Sequence, residues 1–275
     1  MWIRWLPALA CLLAPTVAHA GKLGSMRSEV RGGSNSEGSA EDDSSDSDDD
    51  GDGGDGGSGG GSVGAAIAEV IAETNAKQGR PVFASYPYRN GHTGWVHRNG
   101  RKPGLDAPGK PWSLTVALEG ASLGDQVWRA SVAAELSWRR LSLRNDTGLY
   151  LERPAADASY LGSAAFCVAF VMQPNVVWKL GLGPGYLIDA RRVDNPTRLD
   201  AAGANLSTTV DVFPVRPVVL SGRADFGNLG AAKTFLVRGT VGFAVRRFEG
   251  YGGYEYRGVG NVRFGGPVFG VRLWF

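Results

Sequence analysis

Few residues of this 275-residue chain have types and spacing suited to chemistry. His92 and His97, in FASYPYRNGHTGWVHRNGRKPG, suit a general base or a zinc ligand pair, but no third ligand stands at a sensible spacing. They are expected to be exposed loop histidines. Asp48, Asp50, Asp52 and Gly53 match the start of a calcium loop, in which alternate carboxylates converge on one hard cation. Gly59 stands where the bidentate Glu belongs, so the stretch reads as a solvated acidic linker. Asp189 and Asp194 have Arg neighbours and read as loop ion pairs rather than an acid/base couple. Gly181-Leu182-Gly183-Pro184-Gly185 lacks the following helix that would present its N-terminus to a phosphate. The expectation is that there are no catalytic residues, no cofactor and no metal.

The elements around these residues explain more. Met1–Ala20 carries Arg4 in a short n-region, an apolar run through Val17, and Ala18 and Ala20 flanking His19, the pattern of a secretory signal peptide cleaved after Ala20. Cys11 sits inside that run; with it removed, Cys167 is the only thiol, so no intramolecular disulfide is available. Residues 21–62 are Gly, Ser and Asp with 3 Lys/Arg against 11 Asp/Glu, and read as a disordered tether. Beyond Ser62 the balance reverses to 25 Lys/Arg against 16 Asp/Glu. The near-neutral chain is therefore an acidic tether on a basic body. Residues 63–79 place Val63, Ala66, Ile67, Val70 and Ile71 at helical spacing, ended by Gly79 and Pro81. The aromatic, turn-rich 80–110 follows, with Tyr86, Tyr88 and Trp95 as membrane-interface anchors or a small lid.

From Trp112 the period becomes two. In VWRASVAAELSWR, Trp128, Ala130, Val132, Ala134, Leu136 and Trp138 share one face, while Arg129 and Glu135 lie on the other. Ten positions separate the two tryptophans, about 25 Å along a strand tilted near 40°, the height of a barrel's lipid-facing band. Similar segments recur, with Trp112 and Trp178 as further girdle residues and Lys179, Asp211, Arg223, Asp225 and Arg238 on the opposite face at strand centres. A soluble sandwich seldom bounds its apolar face with Trp or puts paired charges opposite. A membrane barrel does both, and it must close, because an open edge in lipid leaves backbone groups unsatisfied. The fold class is all-β: an antiparallel transmembrane barrel over 111–275.

The chain ends in FGVRLWF, with Phe269, Val271, Leu273 and Phe275 on one face. Gly270, Leu273 and Phe275 make this ending resemble the C-terminal assembly signal of Gram-negative outer-membrane β-barrel proteins; Val268 departs from it, because that family usually has a polar residue there. The resemblance implies outer-membrane localisation with a periplasmic tether, and the insertion machinery as a partner. Barrel enzymes of that class rely on a histidine near the outer rim as base, and no histidine follows His97.

Ten strands are read near 112–120, 127–138, 141–151, 163–172, 176–188, 206–213, 218–226, 234–245, 248–257 and 265–275. Arg139-Arg140 is a poor turn pair, whereas Asn145-Asp146-Thr147-Gly148 is a good one; if the latter turns the chain, eight strands result. The turns near Arg139-Arg140, Phe213–Pro217 and Arg246-Arg247 form a basic rim that attracts the acidic tether. Outer loops 153–162 and 189–205 carry Arg153, Arg191, Arg192 and Arg198, suited to lipopolysaccharide phosphates. The expected role is non-enzymatic: a structural, anchoring or surface-interaction barrel with a side-chain-filled lumen. The alternative is a narrow channel, with a void at Gly181, Gly183 and Gly185. Expected partners are outer-membrane lipids, the insertion machinery and a periplasmic partner of the tether; no nucleic acid is expected.

Overall fold

The computed structural model describes residues 21–32, 69, 73, 81–89, 94–98, 109–124, 126–153, 157–190 and 199–275. The signal segment, the calcium-like run, His92, Asp194, Arg191, Arg192 and Arg198 lie outside these residues. Of the helix expected over 63–79, Glu69 and Glu73 are described, both helical.

The strict alternation builds ten long strands: β3 (Trp112–Ser122), β4 (Val127–Trp138), β5 (Leu141–Glu152), β6 (Asp157–Gln173), β7 (Val176–Asp189), β8 (Asp200–Val212), β9 (Val218–Leu229), β10 (Ala232–Val245), β11 (Phe248–Val259) and β12 (Val262–Trp274). Each pairs antiparallel with its sequence neighbours, and β12 returns to β3 to close the barrel. Closure runs past the last strand residue. The Phe275 N–H donates to the Leu114 carbonyl at 2.9 Å, and the Leu114 N–H to the Phe275 carbonyl at 3.2 Å.

The weak turn pair is the real turn. Trp138 faces Leu141 across Arg139-Arg140, and Arg139 takes the left-handed φ of 53° that a tight hairpin requires. Arg140 offsets the poor local propensity from outside the hairpin, its guanidinium donating to the Ala169 carbonyl at 3.1 Å. Asn145–Gly148 runs straight through β5, held by pairing to β4 on one side and β6 on the other. The loop expectations also change, because β6, β7 and β8 extend beyond their expected ends to Asp157, Asp189 and Asp200.

Two rims result. The terminal mouth, where β3 begins and β12 ends, has the short turns Arg139-Arg140, Pro174-Asn175, Phe213–Pro217 and Arg246-Arg247. The loop mouth has the long connection 190–199 beside the tight turns Gly230-Ala231 and Gly260-Asn261.

The terminal mouth is filled by residues 81–89 and 94–98. Strands β1 (Pro81–Phe83) and β2 (Val96–Arg98) form a small hairpin whose Phe83, Tyr88, Trp95 and Val96 pack on Phe213, Val219 and Trp274 of the barrel. Of the two expectations for this segment, the lid is the one formed: Tyr88 and Trp95 are buried. His97 is buried in β2 rather than exposed in a loop.

At the loop mouth lies a helix, α1 (Lys22–Arg31), inside the stretch expected to be a disordered tether. Composition misled there because Leu23, Met26 and Val30 are its only large apolar residues. They fall on one face and are buried against the barrel interior, including Leu123, Tyr150, Leu187 and Phe264.

Candidate functional site in the barrel lumen

Most large apolar side chains of the strands face outward and most charges inward, with Tyr150, Leu161, Leu187 and Phe264 among the apolar residues that face in. Leu118, Val132, Leu143, Phe166, Leu182, Phe226, Val241 and Phe269 are among many exposed apolar residues, whereas Glu119, Arg129, Arg144, Asp146, Lys179 and Glu255 are buried. This reverses the usual order of a water-soluble domain. Trp112, Trp128, Trp138 and Trp178 all face outward, and Trp178 Nε1 donates to Thr208 Oγ1 at 2.8 Å.

Inside, an ion-pair layer crosses the lumen. Asp146 on β5 accepts from Arg223 on β9 and lies 3.8 Å from Arg238 on β10, strands on opposite sides of the ten-strand ring. The network extends both ways. Arg223 also holds Asp225 at 2.6 Å, and Asp225 lies 3.7 Å from Arg144. Arg238 holds Glu119 at 2.5 Å; Glu119 also takes Arg129 at 2.9 Å and the Tyr251 hydroxyl at 2.7 Å. Arg129 donates to both oxygens of Glu255, at 2.7 and 2.6 Å, and Arg257 stands 3.6 Å from the same carboxylate. Towards the terminal mouth, Lys179 pairs with Glu135, and Arg272 lies 3.7 Å from Asp211 and 3.6 Å from Glu249.

All seven charges expected in the lumen (Arg129, Glu135, Lys179, Asp211, Arg223, Asp225, Arg238) are thus in ion pairs. The structure brings seven more to them: Glu119, Arg144, Asp146, Glu249, Glu255, Arg257 and Arg272. Together they are seven cations against seven anions, so the layer is neutral by composition. A finer reading of the alternation would have found the second set. Asp146 was hidden in a turn-like sequence, and Glu249–Arg257 in a Gly/Tyr-rich run.

Cavities of about 50 Å³ and about 90 Å³ flank the layer, each roomy enough for a few waters. The glycine void does not form at Gly181 or Gly183. A Cβ at Gly181 would lie 2.4 Å from Cys167 Sγ, and one at Gly183 1.9 Å from the Ala164 carbonyl oxygen. Gly185 lines the smaller of these two cavities.

Both mouths are stoppered. At the terminal mouth the Trp95 ring lies tilted against Phe83 at 4.9 Å and edge-on to Trp274 at 4.7 Å, whose Nε1 donates to Glu249 at 3.0 Å. The Lys179 ammonium lies 5.5 Å from the Trp95 ring centroid. The Tyr88 hydroxyl donates to the Val218 carbonyl; burial, and then the Glu249 carboxylate, push that phenol up to about 12. At the loop mouth Arg27 of α1 is enclosed by Asp157 and Asp189. Asp189, expected in a loop ion pair with solvent around it, is instead a buried receptor for this helix. The residues of the C-terminal signal lie at the seam: Gly270 pairs with Glu119 of β3, Leu273 with Val116, and Phe275 bonds Leu114.

No protein-family model matches the chain, and no curated protein matches it in sequence. Solved structures similar in fold include the N-terminal β-barrel domain of Pseudomonas aeruginosa OprF (11% identity, 59% of this chain and 97% of that one, TM-score 0.32). The NanC porin (10% identity, 58% and 98%, TM-score 0.35) and Neisserial surface protein A, NspA (17% identity, 59% and 94%, TM-score 0.24), are others. At these identities and TM-scores the likenesses carry no functional weight.

Proposed function

We propose that this protein is an integral outer-membrane barrel with a closed lumen and a structural, anchoring or surface-interaction role, and that it is neither an enzyme nor an open diffusion pore. The observation that carries the membrane reading is the inside-out surface: a closed sheet whose outer face is an exposed apolar belt and whose charges are internal. In water such a belt far exceeds the few hundred Å² of contiguous apolar surface that a soluble monomer exposes. In lipid it is the required outer surface, and closure satisfies every strand edge. Strands of eleven or more residues suffice to cross a hydrocarbon core.

The closed-lumen reading rests on Asp146 bridging opposite walls between two plugs. Among the described residues, the carboxylates of the lumen layer are engaged by guanidinium or ammonium groups, which supports the non-enzymatic reading. Boiled and unboiled samples of the membrane-extracted protein should run differently on a detergent gel. The same protein in a planar bilayer should show no stable channel steps. A heat-shifting protein that conducts steadily would favour the narrow channel. Soluble protein with no shift would remove the membrane reading itself.

A further inference from the structure

The outer face of the barrel carries a polar group that its apolar belt does not explain. Asn145 on β5 shares the outward face with Leu143 and Thr147 and is exposed. It pairs with Ala134 of β4, four positions from Trp138 and six from Trp128, the tryptophans that bound the belt on that strand. A carboxamide at that depth lies beyond the reach of water and headgroups, and a polar group in hydrocarbon needs a protein partner.

Part of that need is met within the chain. Tyr186 on β7 lies across Gly162 of β6, where a Cβ would come 2.5 Å from its hydroxyl. There the hydroxyl meets Thr147 Oγ1, while Asn145 Oδ1 stands 3.2 Å from Thr147 Oγ1 and 3.4 Å from the Tyr186 hydroxyl. Two hydroxyls bring two protons to three contacts, so Tyr186 donating to Thr147 and Thr147 to Asn145 uses both. Oδ1 keeps a lone pair, and among the described residues Asn145 Nδ2 donates to none. The lipid side is thus offered an unused donor beside an unused acceptor.

Such an edge is its own complement. Two carboxamides facing each other across a twofold axis close a pair of hydrogen bonds, Nδ2 of each donating to Oδ1 of the other. The membrane fixes that axis. Copies inserted in the same direction can be related only by a twofold along the bilayer normal, about which every residue meets its own depth. Asn145 then meets Asn145. Its surroundings permit the approach: its cross-strand neighbours are Ala134 and Ala164, and Pro184 faces Ala204 farther along the sheet.

We propose that the outer face of β4–β8 around Asn145 is a lateral interface with a second copy of this chain, closed by a carboxamide pair within the membrane. The interface rests on the membrane reading and does not depend on whether the lumen conducts.

The test uses the mature full-length chain in outer membranes, with Cys167→Ala to remove its thiol. Ala164→Cys, beside Asn145, should be joined into a covalent dimer by a short bismaleimide. Val241→Cys, lipid-facing on β10 across the ring, should stay monomeric. Ala134→Cys serves if Ala164→Cys does not fold. In sedimentation of the detergent-extracted protein, Asn145→Leu should weaken self-association about tenfold, the worth of one or two hydrogen bonds within a membrane. Leu suits a lipid face, so that variant should keep its heat-shifted gel mobility; loss of the shift would make Asn145 a support of the single barrel and overturn the proposal. A heat-shifting protein that does not cross-link beside Asn145, that cross-links equally at Val241→Cys, or whose self-association is indifferent to Asn145→Leu would also overturn it, and the membrane reading would stand. Absence of a heat shift in the unsubstituted protein would remove the membrane reading and the interface with it.

Discussion

At the scale of single residues, enclosure decides what each charge does. Glu255 is fully buried, bidentate to Arg129 and within 3.8 Å of Arg238. A buried pair adds little net stability, because its attraction is set against the loss of hydration, but breaking one leaves an uncompensated charge. Glu255→Gln should therefore destabilise the barrel by about 3–5 kcal/mol. The temperature at which the unboiled species converts to the slower form should fall accordingly; an unchanged temperature would show that water reaches Arg129 freely. Gly94 is a second such position. Its φ is +99°, and a Cβ there would lie 1.4 Å from the Pro174 carbonyl oxygen, which accepts the Trp95 N–H at 3.1 Å. Gly94→Ala should expel Trp95 from its contact with Trp274, seen as a red-shifted and more quenchable tryptophan emission.

At the scale of elements, the lid over the terminal mouth carries its own pH response. The Tyr88 phenol ordinarily titrates near 10 and is pushed up to about 12 by burial and by Glu249. The folded lid favours the neutral phenol, so its contribution is intact below about pH 10 and is lost as pH rises towards about 12. Proteolysis of 81–98 should accelerate across that window, and Tyr88→Phe should flatten the dependence. The closing strand β12 makes the opposite kind of prediction, about assembly rather than stability. Phe275 is 37% exposed and its backbone, not its ring, seals the seam. Phe275→Asp should leave the detergent-refolded barrel heat-shifting while reducing its insertion in cells. Normal insertion would count against reading Gly270, Leu273 and Phe275 as an assembly signal.

At the scale of the whole molecule, the period-two alternation of an eight- or ten-strand barrel was legible in the sequence by itself, and with it the division of Trp112, Trp128, Trp138 and Trp178 from Arg129, Glu135, Lys179, Asp211, Arg223, Asp225 and Arg238 onto opposite faces. A period of two is a local property of an extended chain, so it is visible residue by residue. Which turn closes the second hairpin was not visible, because Arg139-Arg140 is supported by Arg140 reaching β6, a contact 29 positions distant. Nor was the partnering of the charges: Asp146 meets Arg223 only once the ring has closed and brought opposite walls within reach. The N-terminal helix was least legible of all. Three apolar residues cannot form a core of their own and read as part of a polar tether. It took a barrel mouth already lined with Leu123, Tyr150 and Phe264, and rimmed by Glu152, Asp157 and Asp189, to give them a partner, because burial and charge pairing belong to surfaces that exist only after the chain has folded.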